Sequence, residues 1–149
     1  MVKDSRAYKY ASWCLEYDND KVGKYIKKQA AAWLQIADDE SDLAYVDEKK
    51  MSVIGKILKL MVHPDLGRSL YETLEDYAMF LLVAVLCTRR KGDDTRFYTT
   101  ALLEIARKNF KTFNSAVIFI ILMLTESRFS RFFSVAPDLK LSKIGRAHV

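Results

Sequence analysis

The residues best suited to chemistry form a basic turn that ends in a lysine and a threonine. This turn, residues 107–112 (RKNFKT), lies between the apolar run 102–105 and the long apolar segment 113–124. Between a strand and a buried helix, the N–H groups of such a turn and the positive end of the helix can bind a polyphosphate. Lys111 would contact the terminal phosphates, and the Thr112 hydroxyl would hold Mg²⁺. The order of these features predicts a phosphate-binding loop.

Two positions of this turn depart from the general phosphate-loop pattern, G-x-x-x-x-G-K-[ST]. Ile105 and Phe110 stand where the pattern has glycine, so only Lys111 and Thr112 fit. Glycine allows the backbone to approach phosphate closely, and a phenylalanine obstructs that approach. The competing interpretation is a basic turn that packs against a sheet and binds nothing. Spacing alone leaves both interpretations open.

The elements around the turn indicate how it would be positioned. Residues 97–105, after a turn at 92–94, are rich in Tyr, Thr and Leu and predict a strand. Residues 112–125 predict a helix that is apolar nearly all round and therefore buried, as helices covering a parallel sheet often are. A second strand is expected at 131–136. The predicted fold class is α/β, with N-terminal helices followed by the opening strand, phosphate loop, helix and strand of a parallel sheet.

Four helices are predicted before the turn, because apolar residues recur there at helical spacing: 5–17, 21–37, 48–62 and 74–86. The expected caps are 18–20 for the second helix, Asp47 for the third and a capping box at 73–76 for the fourth. Residues 38–48 carry six acidic residues and no basic one, which predicts a solvated loop. The basic residues 89–91 are expected at the end of the fourth helix, where they would complement its dipole.

Composition favours a globular protein with an anionic partner. The chain has 149 residues, a formal charge of +5 and 50% apolar residues, and 89–112 holds seven Lys or Arg against three Asp or Glu. Cys14 and Cys87 are far apart and share no metal-type spacing with the two histidines, so neither a disulfide nor a zinc site is expected. No apolar stretch reaches membrane-span length and no signal peptide is visible, so the expected location is the cytoplasm.

The turn and its flanking motifs also resemble a known family. Residues 105–112 resemble the deviant Walker A segment of phage terminase large subunits, the ATP-driven motors that package viral DNA. Further similar motifs lie at 10–14 (YxxWC), 19–26 (NDKVGKYI) and 134–138 (SVAPD). The resemblance implies an N-terminal helical segment at 1–92 and the start of a P-loop ATPase domain at 93–143. Residues 144–149 resemble a translated sequencing adapter and are expected to be non-native.

The resemblance assigns roles to individual residues. Lys111 would contact the β- and γ-phosphates of ATP, and Thr112 would ligate Mg²⁺. Arg107, whose planar charged fork can bind phosphate oxygens in pairs, would sense or stabilise the γ-phosphate. Backbone N–H groups would come from five consecutive residues: Ala106, Arg107, Lys108, Asn109 and Phe110. The expected cofactors are therefore ATP and Mg²⁺.

The parent protein would hydrolyse ATP to translocate double-stranded DNA, with terminase small subunit and portal as partners and a nuclease beyond this chain. Two departures from the family are Phe110 in place of glycine, and Ala78 where an adenine-holding glutamine is usual in the segment aligned with 74–78. Residues 121–126 end in an acid but follow the turn too closely to supply the acidic Mg²⁺ residue that hydrolysis needs on another strand, and they are expected to belong to the helix after the turn. The alternative is a small basic helical module without enzymatic activity, which binds nucleic acid or a partner through 89–96 and the N-terminal lysines.

Overall fold

The computed structural model describes residues 2–16, 20–106, 111–127 and 130–133. The chain divides into two compact units, Met1–Leu102 and Leu103–Val149. Residues 93–98 belong to the first unit. Arg96 forms a backbone bridge with Arg89, and the Phe97 N–H donates to the Thr88 carbonyl. No helix in the described ranges is long and apolar enough to cross a membrane.

The first unit is mostly helical and contains a small antiparallel sheet. After a short 3-10 helix at Val2–Asp4, its helices are α1 (Arg6–Cys14), α2 (Lys24–Ala37), α3 (Glu48–Leu60), α4 (Leu70–Thr73) and α5 (Asp76–Cys87). Strands β1 (Ala44–Val46) and β2 (Thr88–Arg90) pair with Ala44 opposite Arg90 and Val46 opposite Thr88. In the second unit, α6 spans Lys111–Thr125. The helical part of the predicted fold class is therefore confirmed, whereas a parallel sheet is not shown.

Of the two N-caps predicted for α3 and α2, the first is confirmed and the second lies elsewhere. The Asp47 side chain accepts the Lys50 N–H at 2.9 Å, so the predicted cap of α3 is confirmed. The N-cap of α2 is Gly23, so Asp20 of the predicted capping group lies too early. Val22, just before it, is buried. Residues 18 and 19 of the predicted capping group lie outside the described residues.

The capping box predicted at 73–76 is wrong because two helices meet there. Thr73 is the last residue of α4, and its hydroxyl donates to the Ser69 carbonyl at 2.9 Å instead of capping α5. The N-cap of α5 is Glu75, and Asp76 is its first helical residue. Residues 70–87 therefore form two helices joined at an angle.

The sheet corrects two further predictions. The segment 38–48 is not all loop, since β1 lies within it with Ala44 and Val46 buried. Arg89 and Arg90 are not in the last turn of a helix, because α5 ends at Cys87 and the chain continues directly into β2. Each strand has three residues, which is too short for an alternating pattern to show in the sequence.

Helix α5 is the central element of the first unit. It packs against α1 and α3, and its buried residues lie on nearly every side: Ala78, Met79, Phe80, Leu82, Val83, Ala84, Leu86 and Cys87. Trp33 of α2, which is fully buried, meets Phe80 edge to face with ring centroids 5.4 Å apart. Its indole N–H donates to the Thr88 hydroxyl at 3.1 Å, which links α2 to β2 through the core.

Both cysteines are free and buried, and they differ in how strongly burial acts on them. Desolvation raises the pKa of the Cys87 thiol to about 12, and it also raises the pKa of Cys14. Because the thiolate is the reactive form, a thiol protonated at neutral pH is a poor nucleophile. Cys87 is therefore part of the core rather than a reactive residue.

Alkylation tests this property of Cys87. In a Cys14→Ser background near pH 8.5, we expect iodoacetamide to modify the native chain about a thousandfold more slowly than the urea-unfolded chain, by the three-unit difference in pKa. The pKa of Cys87 is higher in the folded chain than in the unfolded chain. The contribution of its protonated thiol to the free energy of unfolding is therefore fully present below pH 9 and is lost as the pH rises toward 12. Equal rates of alkylation for native and unfolded protein, followed by mass spectrometry, would contradict this expectation.

Candidate functional site

The predicted phosphate-binding segment is followed at once by α6. This helix begins at Lys111, so Lys111 and Thr112 occupy its first turn. Thr112 is exposed, and the first turn contains no acidic residue that would neutralise the positive helix end. Residues 107–110 lie outside the described residues, as does the side chain of Lys111. The helix predicted for 112–125 is thus confirmed with a start one residue earlier.

The strand predicted to precede this segment is wrong. Residues 99–106 have no regular secondary structure, and Ala106 is exposed. Only the start of the stretch touches the sheet: Arg96 bridges Arg89, and the Phe97 N–H donates to the Thr88 carbonyl at 2.9 Å. A strand exists only where a neighbour continues its hydrogen-bond ladder, and β2 ends at Arg90.

The second predicted strand is also not found where it can be examined. Residues 131–133 have no regular secondary structure, and 134–136 lie outside the described residues. Phe132 instead contacts Phe119 of α6, with ring centroids 6.1 Å apart. The described part of the second unit therefore consists of one helix, flanking residues without regular secondary structure and an aromatic contact between Phe119 and Phe132.

Helix α6 is not buried on all sides. Asn114, Val117 and Ile121 are buried and recur at spacings of three and four, so they form a single stripe. Met123 and Leu124 are exposed despite the apolar sequence around them. Glu126 directly follows the helix, and its N–H donates to the Leu122 carbonyl at 2.9 Å. It thus belongs to the end of α6, as the sequence suggested.

The segment aligned with the adenine-holding motif of the resembled family forms core structure in the first unit. Leu74 and Ala78 are buried, and Tyr77 is half-buried. The Leu74 carbonyl accepts a hydrogen bond from Arg6 at 2.6 Å, which fixes the start of α5 against α1. This environment agrees with packing as the role of Tyr77.

His63 has a structural role at the end of α3. It is buried, and its Nδ1 accepts the N–H groups of Asp65 at 3.2 Å and Leu66 at 3.3 Å. The backbone N–H of His63 donates to the Arg68 carbonyl at 2.8 Å, which closes the turn. These contacts assign His63 to the structure of the turn that follows α3.

The basic segment 89–96 is partly neutralised by carboxylates of the same unit. Arg89 Nε lies 3.7 Å from Asp47 Oδ2, and Lys91 Nζ lies 2.8 Å from Asp39 Oδ1. The Tyr45 hydroxyl donates to Asp94, which raises the pKa of that tyrosine. The positive charge counted in the sequence is therefore only partly available to an external anion.

A second set of cations has no such partners. Three exposed lysines lie at or just before the start of α2: Lys21, Lys24 and Lys28. No carboxylate in the described ranges forms an ion pair with them. Lys24 lies over the Tyr25 ring, 5.0 Å from its centroid. These lysines form the more accessible basic surface of the first unit.

The described residues contain no cluster of three or more His, Cys, Asp or Glu side chains that could hold a metal ion. Comparison with known protein families, curated proteins and solved structures gives no match. Assignment of a function therefore depends on the residues themselves, above all on the basic turn and the start of α6.

Proposed function

We propose that this chain is the N-terminal part of a terminase-type DNA-packaging ATPase, and that residues 106–112 bind the phosphates of Mg²⁺-ATP. The observation that carries the proposal is the start of α6 at Lys111, within the basic sequence 107–112. The N-terminus of a long helix presents free N–H groups and a partial positive charge to an anion. The first turn of α6 carries no acidic residue to oppose that anion.

The residue types around that helix start have complementary tasks. Lys111 supplies a point charge for the β- and γ-phosphates, and Thr112 supplies the hydroxyl ligand for Mg²⁺. Arg107 supplies a bidentate donor for the γ-phosphate. Hydrolysis further requires a carboxylate on another strand, so nucleotide binding is the direct readout for this chain.

Nucleotide binding by single variants tests the proposal. For a fluorescent ATP analogue with Mg²⁺, we expect Lys111→Ala to weaken binding at least about tenfold, because the lysine charge meets the terminal phosphates. Lys28→Ala is the matched control, since it removes the same charge from an exposed position on α2. Phe110→Gly should strengthen binding, because glycine lets the backbone approach the phosphates.

The same titrations separate the alternative function. A basic binding module without nucleotide specificity is favoured by the exposed lysines of α2, which form no ion pair with a carboxylate in the part of the chain that the structure describes. In that case Lys28→Ala would weaken binding of a DNA oligonucleotide, and Lys111→Ala would leave ATP binding unchanged. Equal ATP affinity of the wild-type and Lys111→Ala chains would refute the phosphate-loop proposal.

A further inference from the structure

Helix α3 carries two apolar faces, and the fold uses one of them. Ile54 and Leu58 are buried in the first unit. Val53 and Leu60 are 44% and 83% exposed, and Ile57 is half-buried. Exposed aliphatic side chains at this regular spacing, on a helix already anchored by its other face, are not required by the packing of the unit.

The exposed face has the spacing of a coiled-coil seam. Val53, Ile57 and Leu60 are separated by four and three residues, as heptad positions d, a and d are. At about 100° per residue these three side chains cover a stripe of about 60°, which is the width of a coiled-coil seam and narrower than a core-facing stripe. We call this stripe the α3 seam.

Lysines border the α3 seam. Lys49 and Lys56 stand at the heptad position g beside it, and Lys50 stands at the position a one turn before Val53. Lys49 and Lys56 form no ion pair with any carboxylate in the described part of the chain. The exposed flank of the seam, at position g, is therefore positive, whereas Ile54 at position e on the other flank is buried in the core. Glu48 lies on the opposite side of the helix from the seam.

We propose that the α3 seam docks an acidic amphipathic helix of a partner protein. That helix would place apolar residues at its own a and d positions and Asp or Glu beside them, facing Lys49 and Lys56. In coiled coils the charges at these flanking positions select the partner. The apolar stripe supplies the contact area, and the lysines supply the preference for an acidic partner.

Other occupants fit the α3 seam less well. A second copy of the chain would oppose Lys50 to Lys50 in a parallel pair, or the g-position lysines to each other in an antiparallel pair, and like charges repel. An anionic membrane is bound by helices with a wide apolar face and aromatic anchors, whereas α3 has no aromatic residue. Nucleic acid would leave the central aliphatic side chains without contacts.

A designed peptide provides the probe. A labelled peptide of three heptads, with Leu at a and d and Glu at e and g, repels its own copies and so stays available as a single helix. We expect it to bind the whole chain in fluorescence anisotropy, with an affinity that falls as salt rises. The same peptide with Lys at e and g should bind at least about tenfold more weakly.

Matched variants locate the binding. Leu60→Ala should weaken binding of the Glu peptide about tenfold by removing an apolar anchor, and Lys56→Glu should weaken it about two- to fivefold. The controls are Leu43→Ala, an aliphatic side chain 72% exposed outside α3, and Lys28→Glu on α2. Because Leu60 is exposed, the variant should melt like the wild-type chain.

Four results would overturn the proposal. The first is equal binding of the Glu and Lys peptides, and the second is an equal loss of binding from Leu60→Ala and Leu43→Ala. The third is a wild-type dimer in solution that Leu60→Ala dissociates. The fourth is binding to phosphatidylserine vesicles that requires Leu60, with no binding to the peptide. The last two would assign the seam to a second copy or to a membrane. None of these measurements depends on nucleotide binding at residues 106–112.

Discussion

Replacing Trp33 with alanine is expected to lower the free energy of unfolding of the first unit by about 3–5 kcal/mol. The side chain is fully buried, so its removal leaves a cavity between α2, α5 and β2. It also removes the edge-to-face contact with Phe80 and leaves the Thr88 hydroxyl without its donor. Urea unfolding followed by circular dichroism measures the loss, which is large against the stability of a domain of this size.

Two further variants divide the effect of Trp33 into its parts. Thr88→Val keeps the volume but leaves the buried indole N–H unsatisfied, which should cost about 1–3 kcal/mol. Trp13→Ala is the matched control, because Trp13 is 40% exposed at the end of α1. This variant should lower the free energy of unfolding by less than half as much as Trp33→Ala does. Equal losses at Trp13 and Trp33 would show that the buried contacts among α2, α5 and β2 do not stabilise the unit.

Replacing Arg6 with alanine is expected to cost about 2–3 kcal/mol, because hydrogen bonds from a charged donor are stronger than neutral ones. Its guanidinium, at the start of α1, donates to the carbonyls of Tyr71 at 2.5 Å and Leu74 at 2.6 Å, and to Asp76 at 2.7 Å. These contacts hold the α4–α5 junction against α1. Thermal unfolding measures the change, with the exposed Lys9→Ala on the same helix as control.

The carbonyl contacts of Arg6 should outweigh its ion pair. Asp76 is 58% exposed on its side chain, and a pair so open to water contributes about 1 kcal/mol or less. We therefore expect Asp76→Asn to cost much less than Arg6→Ala. Arg6→Lys should recover only part of the loss, because an ammonium group cannot match the geometry of the guanidinium fork. A larger loss for Asp76→Asn than for Arg6→Ala would reverse this assignment.

Local signals in the sequence were sufficient for the helices. Apolar residues at helical spacing predicted α1, α2, α3 and α5, and a continuous apolar run predicted α6, because helical hydrogen bonds join residues close in the chain. The Asp47 cap was predictable for the same reason, since its side chain needs only the N–H of Lys50. Boundaries were less accurate, as at Gly23, which is the N-cap of a helix predicted to begin at residue 21.

Strands depended on partners distant in the sequence. Residues 97–105 have the composition of a strand but form none, whereas the acidic segment 38–48 contains β1. Pairing of Ala44 with Arg90 joins positions far apart in the chain, and no local pattern in a three-residue strand specifies such a partner. The described residues therefore do not show the parallel sheet expected from the phosphate-loop interpretation.

The proposed phosphate-binding segment and the α3 seam show the same division. The sequence by itself determined the basic residue types at 107–112, the helix predicted at 112–125 and the net positive charge. Both apolar stripes of α3 have helical spacing. Only the tertiary structure decided that Ile54 and Leu58 face α5 and the core while Leu60 faces solvent, because burial depends on neighbours that the chain brings together from elsewhere.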